Sequence, residues 1–256
     1  MNSNSTVDRR SQILLQLSEV GRISVSRLSE QFQVSEVTIR NDLARLEQKG
    51  LLIKTRGGAI RNERVGIDPE LTEKQRQHYE EKKLIGKKVI EFISDGDTII
   101  LDSGTTTIEI AKNLEVFSDL TVITNGVNIA GYLSKLKNIK VIMPGGFLRH
   151  SSLSLVGVYA EQNLRNFFCD KLFLGVDGIE CKYGLFTPNL EEAHINRVMI
   201  DISKEVFVVT DSSKFLRRSF AFIAPVEKIH TLVTDSGIPE EEKNLLKEMG
   251  KKVVVV

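Results

Sequence analysis

The sequence predicts an α/β protein in two parts: a small winged helix-turn-helix head, then a larger and mostly parallel α/β body. Three observations carry this. Residues 1–60 show helical apolar spacing, cap residues and a final Gly-Gly turn between two short apolar runs. Beyond Gly96, short β-branched runs alternate with helical patterns. A length of 256 residues suits a small domain joined to a larger one. With 41% hydrophobic and 27% charged residues, the chain has ample material for cores and an ordinary soluble composition.

Ile13, Leu14 and Leu17 fall on one face of a first helix that ends near Gly21. Ser24 is placed to cap a second helix running through Phe32, with Val25, Leu28 and Phe32 inward. Gln33-Val34 makes a short turn. A third helix is expected from Ser35, its N-cap, to about Gly50, a helix stop. On it Val37, Ile39, Leu43 and Leu46 are packing positions. Ser35, Glu36, Thr38, Arg40, Asn41 and Arg45 are left for a face that can reach phosphates and base edges. The runs 51–55 and 59–61 flank Arg56-Gly57-Gly58 and read as a hairpin. Its Arg56 and Arg61 could touch phosphate or the neighbouring groove. Asp42 is an odd choice against DNA, and bonding within the head or pairing with an Arg fits it better.

Charge follows the same division. Residues 1–60 hold nine Lys+Arg and six Asp+Glu, a net of +3, and the remainder nets −2. The polar stretch 61–73, with Gly66 and Pro69, reads as a linker; 74–256 is the body. Within it, 74–93 reads as helical, with Leu84, Ile85, Val89, Phe92 and Ile93 available for packing.

Strands are expected at 98–101, 120–124, 140–143, 172–176, 206–210, 231–234 and 252–256, with helices near 105–114, 126–136, 158–167, 190–203 and 239–249. In such sheets ligands sit at the carboxyl ends of the strands. Asp102, Ser103, Gly104, Thr105, Thr106 and Thr107 follow the first strand and open a helix, where N–H groups and hydroxyls converge as a phosphate cradle. A plain helix cap is the simpler alternative. Asn125-Gly126 and Gly145-Gly146 follow later strands and open on the same sheet edge. Asp177 would point a carboxylate there, Glu191 and Glu192 begin a helix, and Lys214 could neutralise a phosphate.

Cys169 and Cys181 form no CxxC, so reduced thiols are the default. His78, His150, His194 and His230 lack ligand spacing, and no metal or cofactor is expected. The longest apolar runs fall short of a membrane span and the polar N-terminus lacks a signal-peptide core, so a cytoplasmic protein is expected.

Arg9, Ile13 and Leu17, the run Ser35 to Leu43, and Gly57-Gly58-Ala59 resemble the signature of the DeoR family of bacterial transcriptional regulators. The body resembles ribose-5-phosphate isomerase A, as the sensor domain of that family generally does. In that resemblance Ser103 to Thr107 match the phosphate loop, Asp177-Gly178 the acidic loop, and Glu191 or Glu192 the region of the catalytic glutamate. This chain departs from the isomerase: Glu180 stands where a second Asp is expected, and 184–190 lack the lysine and glycine run. Within the family, the stretches 101–107, 124–126, 174–178, 192–193, 196–197 and 211–215 look most like the regulators of N-acetylgalactosamine and galactosamine use.

The resemblance implies a regulator and not an enzyme: a repressor of a carbohydrate-catabolism operon, bound to double-stranded operator DNA and released by a phosphorylated sugar, an amino-sugar or tagatose phosphate. A homo-oligomer, dimer or tetramer, would read repeated half-sites. The rival readings are a sugar-phosphate isomerase with an appended DNA-binding head, and a DNA binder without a ligand.

Overall fold

The computed structural model describes residues 6–48, 51–61 and 68–256. The expected helix stop at Gly50, residues 62–67 of the expected linker and the side chain of Arg61 lie outside the described residues. The chain divides into two compact units, 1–78 and 79–256.

The first unit runs α1 (Thr6–Val20), β1 (Arg22–Ser24), α2 (Val25–Phe32), α3 (Glu36–Gln48), β2 (Leu52–Thr55), β3 (Gly58–Arg61) and α4 (Leu71–Arg76). Ser24 caps α2 by accepting from Arg27 N at 3.3 Å, and Gln33 closes that helix in the left-handed region at φ +52°. Ser35 caps α3 by accepting from Thr38 N at 3.2 Å. A three-stranded antiparallel sheet, ordered β1-β3-β2, forms the wing. Its tip is Arg56-Gly57, because Thr55 pairs with Gly58. Gly58 belongs to the sheet: a Cβ there would lie 1.8 Å from the carbonyl oxygen of Ile23, so only glycine lets β3 lie against β1.

Ile13, Leu17, Val25, Leu28, Ile39, Leu43, Leu46, Leu52 and Ala59 form one core. Val37 departs from expectation and is 62% exposed. It lies two positions from buried Ile39, about 200° round a helix, so it must face away from the core. Asp42 is buried and accepts from Arg9 Nε at 2.7 Å and Arg10 Nε at 2.6 Å, tying α1 to α3.

The second unit contains α5 (Tyr79–Val89), β4 (Thr98–Leu101), α6 (Thr107–Ala111), β5 (Leu120–Thr124), α7 (Val127–Leu133), β6 (Ile139–Ile142), β7 (Phe147–Arg149), β8 (Ser154–Val156), α8 (Val158–Leu164), β9 (Cys169–Leu174), β10 (Gly178–Glu180), β11 (Gly184–Thr187), α9 (Leu190–Asp201), β12 (Ser203–Val209), β13 (Ala221–Ala224), β14 (Thr231–Thr234), α10 (Glu240–Glu248) and β15 (Lys252–Val255). The seven-stranded sheet is parallel throughout, ordered β15-β14-β12-β9-β4-β5-β6.

Strand residues alternate between two cores. Ile99, Leu101, Phe173, Phe207 and Val209 pack with α5, α6 and α7, while Ile100, Leu172, Leu174, Val206 and Val208 pack with α8, α9 and α10. Phe207 stacks 4.9 Å from Phe173 and 5.4 Å from Phe92. The expected single helix over 74–93 is two, broken at Gln77–His78, where His78 takes φ +51°. Leu84, expected to pack, is 53% exposed beside buried Ile85. Three features were absent from the sequence reading: strand β1 in the wing, the β7–β8 hairpin and the antiparallel sheet β10-β11-β13.

Cys169 and Cys181 are free and buried, and desolvation pushes their thiols up to about 11 and about 12, which keeps both protonated. Among the described residues no helix is long and apolar enough to cross a membrane.

Asp42→Ala removes the one anion between two guanidinium groups and should cost about 3 kcal/mol of head stability. Hydrogen exchange of the amides in 6–48 under increasing urea measures it; a loss under about 1 kcal/mol would make the Arg9–Asp42–Arg10 link incidental.

Candidate functional site

Sheet order sets the site in the second unit. From β4 the chain moves one way to β5 and β6, then crosses to β9 on the other side. The carboxyl ends of β4 and β9 therefore bound the crevice where such sheets take ligands. Asp102 stands at this point, buried at the end of β4. Its carboxylate accepts from Gly104 N at 3.0 Å, from Thr107 Oγ1 at 2.8 Å and, across the crevice, from Gly175 N at 3.0 Å. Desolvation raises the Asp102 carboxyl to about 7 against these bonds, and the Glu192 carboxylate adds to the rise.

Glu192 follows an N-cap, Asn189, whose side chain accepts from Glu192 N at 3.0 Å. The carboxylate is buried. Its Oε1 accepts from Arg149 Nη1 and Ser154 Oγ, both at 3.0 Å, and its Oε2 from Thr187 Oγ1 at 3.3 Å. The same Thr187 hydroxyl lies 3.5 Å from Asp177 Oδ2. Ser152 Oγ accepts from Arg149 Nη1 at 2.8 Å and shares a hydrogen bond with Ser154 Oγ at 2.7 Å.

The β7–β8 hairpin joins this cluster to the loop after β5. Leu155 N donates to Asn125 O at 2.8 Å, Asn125 Nδ2 donates to Leu155 O at 3.2 Å, and Gly126 bridges Ser154. A Cβ on Gly126 would lie 3.1 Å from Ser103 Cα, so that loop abuts the β4 loop. Asn125 Oδ1 and both amide atoms of Asn128 are buried and find no hydrogen-bond partner among the described residues. Such groups are costly unless something bonds them, which fits a polar ligand beside them.

The expected residues thus sort by position. Asp102, Thr107, Asn125, Gly126, Asp177 and Glu192 are brought together. Ser103, Gly104 and Thr105 line the same loop half-buried, while Thr106 and Thr107 turn inward and Thr107 is committed to Asp102. Gly145 and Gly146 lie at the base of the hairpin against α8: a Cβ on Gly146, at φ +107°, would meet Val156 O at 2.6 Å and Ala160 Cβ at 2.9 Å. Glu191 is exposed beside the cluster. Lys214 sits in a turn after β12, which Asp211 caps by accepting from Ser213 N at 3.2 Å. Sequence reasoning missed Arg149, Ser152, Ser154 and Thr187, because the first three lie on an unexpected hairpin and Thr187 on an unexpected antiparallel strand. Among the described residues no cluster could hold a metal ion.

In the first unit, α3 has two faces. Ile39, Asp42, Leu43 and Leu46 are buried, whereas Glu36, Arg40, Asn41 and Arg45 are exposed and Thr38 is half-buried. Arg40 Nη2 meets Glu36 Oε2 at 2.5 Å, an exposed pair of little energetic weight. The hydroxyls of Ser35 and Thr38 lie 2.9 Å apart. Arg56 is exposed at the wing tip. Arg22 and Arg27, two cations the sequence reading passed over, line a 670 Å³ cleft with Gln31 and Gly57.

Two family descriptions match the chain: a DeoR-like helix-turn-helix domain over residues 9–65 and a DeoR C terminal sensor domain over 77–236. Over 253 residues the chain is 40% identical to a protein of Escherichia coli O157:H7 provisionally named an aga operon transcriptional repressor, covering 98% of this chain and 94% of that one. It is 36% identical to the transcriptional repressor AccR of Agrobacterium fabrum, covering 98% of each. With the regulator GlpR of Haloferax volcanii it shares 33% identity over 96% of each chain. Among solved structures, ribose 5-phosphate isomerase A from Methanocaldococcus jannaschii superposes on 55% of this chain and 56% of its own with a TM-score of 0.42 and 16% identity. At those values the likeness assigns no residue a role.

Since the Asp102 carboxyl lies above its ordinary 3.8, the stability it contributes is full below about pH 4 and is lost as pH rises through about 7. Asp102→Asn removes that slope and one acceptor, so the variant should be less stable at pH 5, by about 1 kcal/mol, and recover relative to the wild type by pH 8. Urea midpoints at each pH report this; parallel wild-type and variant curves would show that Asp102 stays charged throughout.

Proposed function

The chain belongs to the DeoR family of DNA-binding transcriptional regulators, and from that premise we propose that it represses a carbohydrate-catabolism operon and leaves its operator when a phosphorylated sugar binds the second unit. The observation that carries the sensor half is the cluster at the β4–β9 crevice: its hydroxyls and carboxylates, with the buried amide groups of Asn125 after β5 and Asn128 at the start of α7 that find no partner among the described residues, suit a polyhydroxy, anionic ligand. In this reading Ser103, Gly104 and Thr105 cradle the phosphate. Asn125, Gly126 and Asp177 line the sugar, Glu192 belongs to the effector site through its bonds to Arg149 and Thr187, and Asp102 and Thr107 hold the loops in place. Thr106, Gly145, Gly146, Glu191 and Lys214 shape the rim.

The head half rests on α3. Thr38, Arg40 and Asn41 meet base edges, while Ser35, Glu36, Arg45, Arg56 and Arg61 meet the backbone or adjoining groove. One such head binds weakly, so the protein works as a dimer or tetramer on repeated half-sites, in the cytoplasm. An effector releases DNA only by favouring the conformer that binds DNA poorly. An amino-sugar or tagatose phosphate is proposed as that effector, in keeping with an Escherichia coli relative named for the aga operon. Against the isomerase reading, Glu180, standing where the enzyme carries a second Asp, is held by Arg218 at 2.7 and 3.1 Å.

Thermal shift with galactosamine 6-phosphate, N-acetylgalactosamine 6-phosphate and tagatose 6-phosphate tests the sensor half. A ligand at 100 times its Kd stabilises by about 2.7 kcal/mol. No response to any phosphorylated sugar would refute it, and turnover of one would favour the isomerase.

In gel shifts on the DNA upstream of its own gene, Arg40→Ala should weaken binding by about 1–3 kcal/mol per head without changing the melting temperature. Unchanged affinity would remove Arg40 from the interface. Thr105→Ala should bind that DNA normally but need about tenfold more sugar phosphate for release, the scale of one charge-assisted hydrogen bond.

A further inference from the structure

We propose that Arg149 is the anion-reading residue of the effector site and that Glu192 holds it until the effector arrives, the phosphate then taking the carboxylate's place on the guanidinium. This rests on the sensor reading above. The first argument is charge. The crevice gathers the carboxylates of Asp177 and Glu192, which repel an incoming anion, and more strongly as water is excluded. A phosphate can settle there only against a cation. Among the described residues, Arg149 is the cation bonded to Glu192, at 3.0 Å, with both side chains largely buried.

The second argument is position. Arg149 and Ser154 sit on the two strands of the β7–β8 hairpin, Ser154 bridges Gly126, and Gly126 abuts Ser103. An unbroken chain of contacts therefore joins the guanidinium to the loop that cradles the phosphate. The third argument is that the exchange leaves nothing stranded. After Arg149 turns to the ligand, Glu192 still accepts from Ser154 at 3.0 Å and Thr187 at 3.3 Å, and Arg149 still donates to Ser152 at 2.8 Å. A guanidinium fork binds phosphate as readily as carboxylate, which a lysine cannot do with the same geometry. Glu192 thus sets the affinity threshold by competing with the ligand.

Two variants should move in opposite directions. Thermal shift of the full chain, titrated with galactosamine 6-phosphate and separately with inorganic phosphate, gives half-saturation for each. Arg149→Gln should abolish the response or raise half-saturation more than about tenfold, and Glu192→Gln should lower it about tenfold, the scale of one charge-assisted hydrogen bond gained or lost. Arg149→Lys should fall between the wild type and Arg149→Gln. A pair that is only structural would weaken binding in both. If Arg149→Gln does not fold, Glu192→Gln decides: unchanged or weaker binding overturns the inference. A wild-type response that survives intact in Arg149→Gln overturns it while leaving the sensor reading in place. A wild-type chain that answers to no phosphorylated sugar overturns both.

Discussion

The site depends on one buried carboxylate that accepts hydrogen bonds from both sides of the sheet's switch point. Asp102 takes an N–H from its own loop, a hydroxyl from the first residue of α6 and an N–H from the end of β9. Without it, the loops after β4 and β9 would share only backbone pairing that stops at the strand ends. With it, the loop after β4 is tied directly to the end of β9 at the mouth of the crevice. Burial works against the charged form of this group, and the three donors work for it.

The first unit solves a smaller problem with the same kind of device. Its core is built mainly of Ile and Leu side chains, and a buried Asp42 between Arg9 and Arg10 fixes how α1 lies on α3. Such a pair adds less net stability than a well-packed apolar contact would, but it accepts only one register. The wing is fixed differently, by the missing side chain of Gly58. In both units the packing is general and the placement is specific, and the specific part is polar or absent.

Much of this was legible in the residues, for identifiable reasons. Parallel strands such as β4, β5 and β14 are buried on both faces and announce themselves as apolar β-branched runs. Ser24 and Ser35 signalled helix starts by side-chain chemistry that acts locally. Asp42 stood out because a carboxylate is out of place against DNA. What stayed hidden depends on distant partners. The β7–β8 hairpin has a mixed pattern, with Phe147 and Leu148 exposed, and its strands make sense only once Asn125 and Glu192 lie beside them. Arg149 and Ser154 were invisible for that reason. Val37 and Leu84 were misassigned because apolar character alone does not say which face of a helix a residue takes: Val37 lies two positions from buried Ile39 and Leu84 one from buried Ile85.

The division of α3 into two faces has a practical reach. Residues that touch the core, Ile39, Asp42, Leu43 and Leu46, share no position with those that face outward. Glu36, Val37, Arg40, Asn41 and Arg45 could therefore be randomised together in a library with little loss of folding. The exposed Val37 is an open position there, an apolar side chain on a surface otherwise composed of charges and amides. Laboratory redesign of what this head recognises can treat its reading surface as separate from its scaffold.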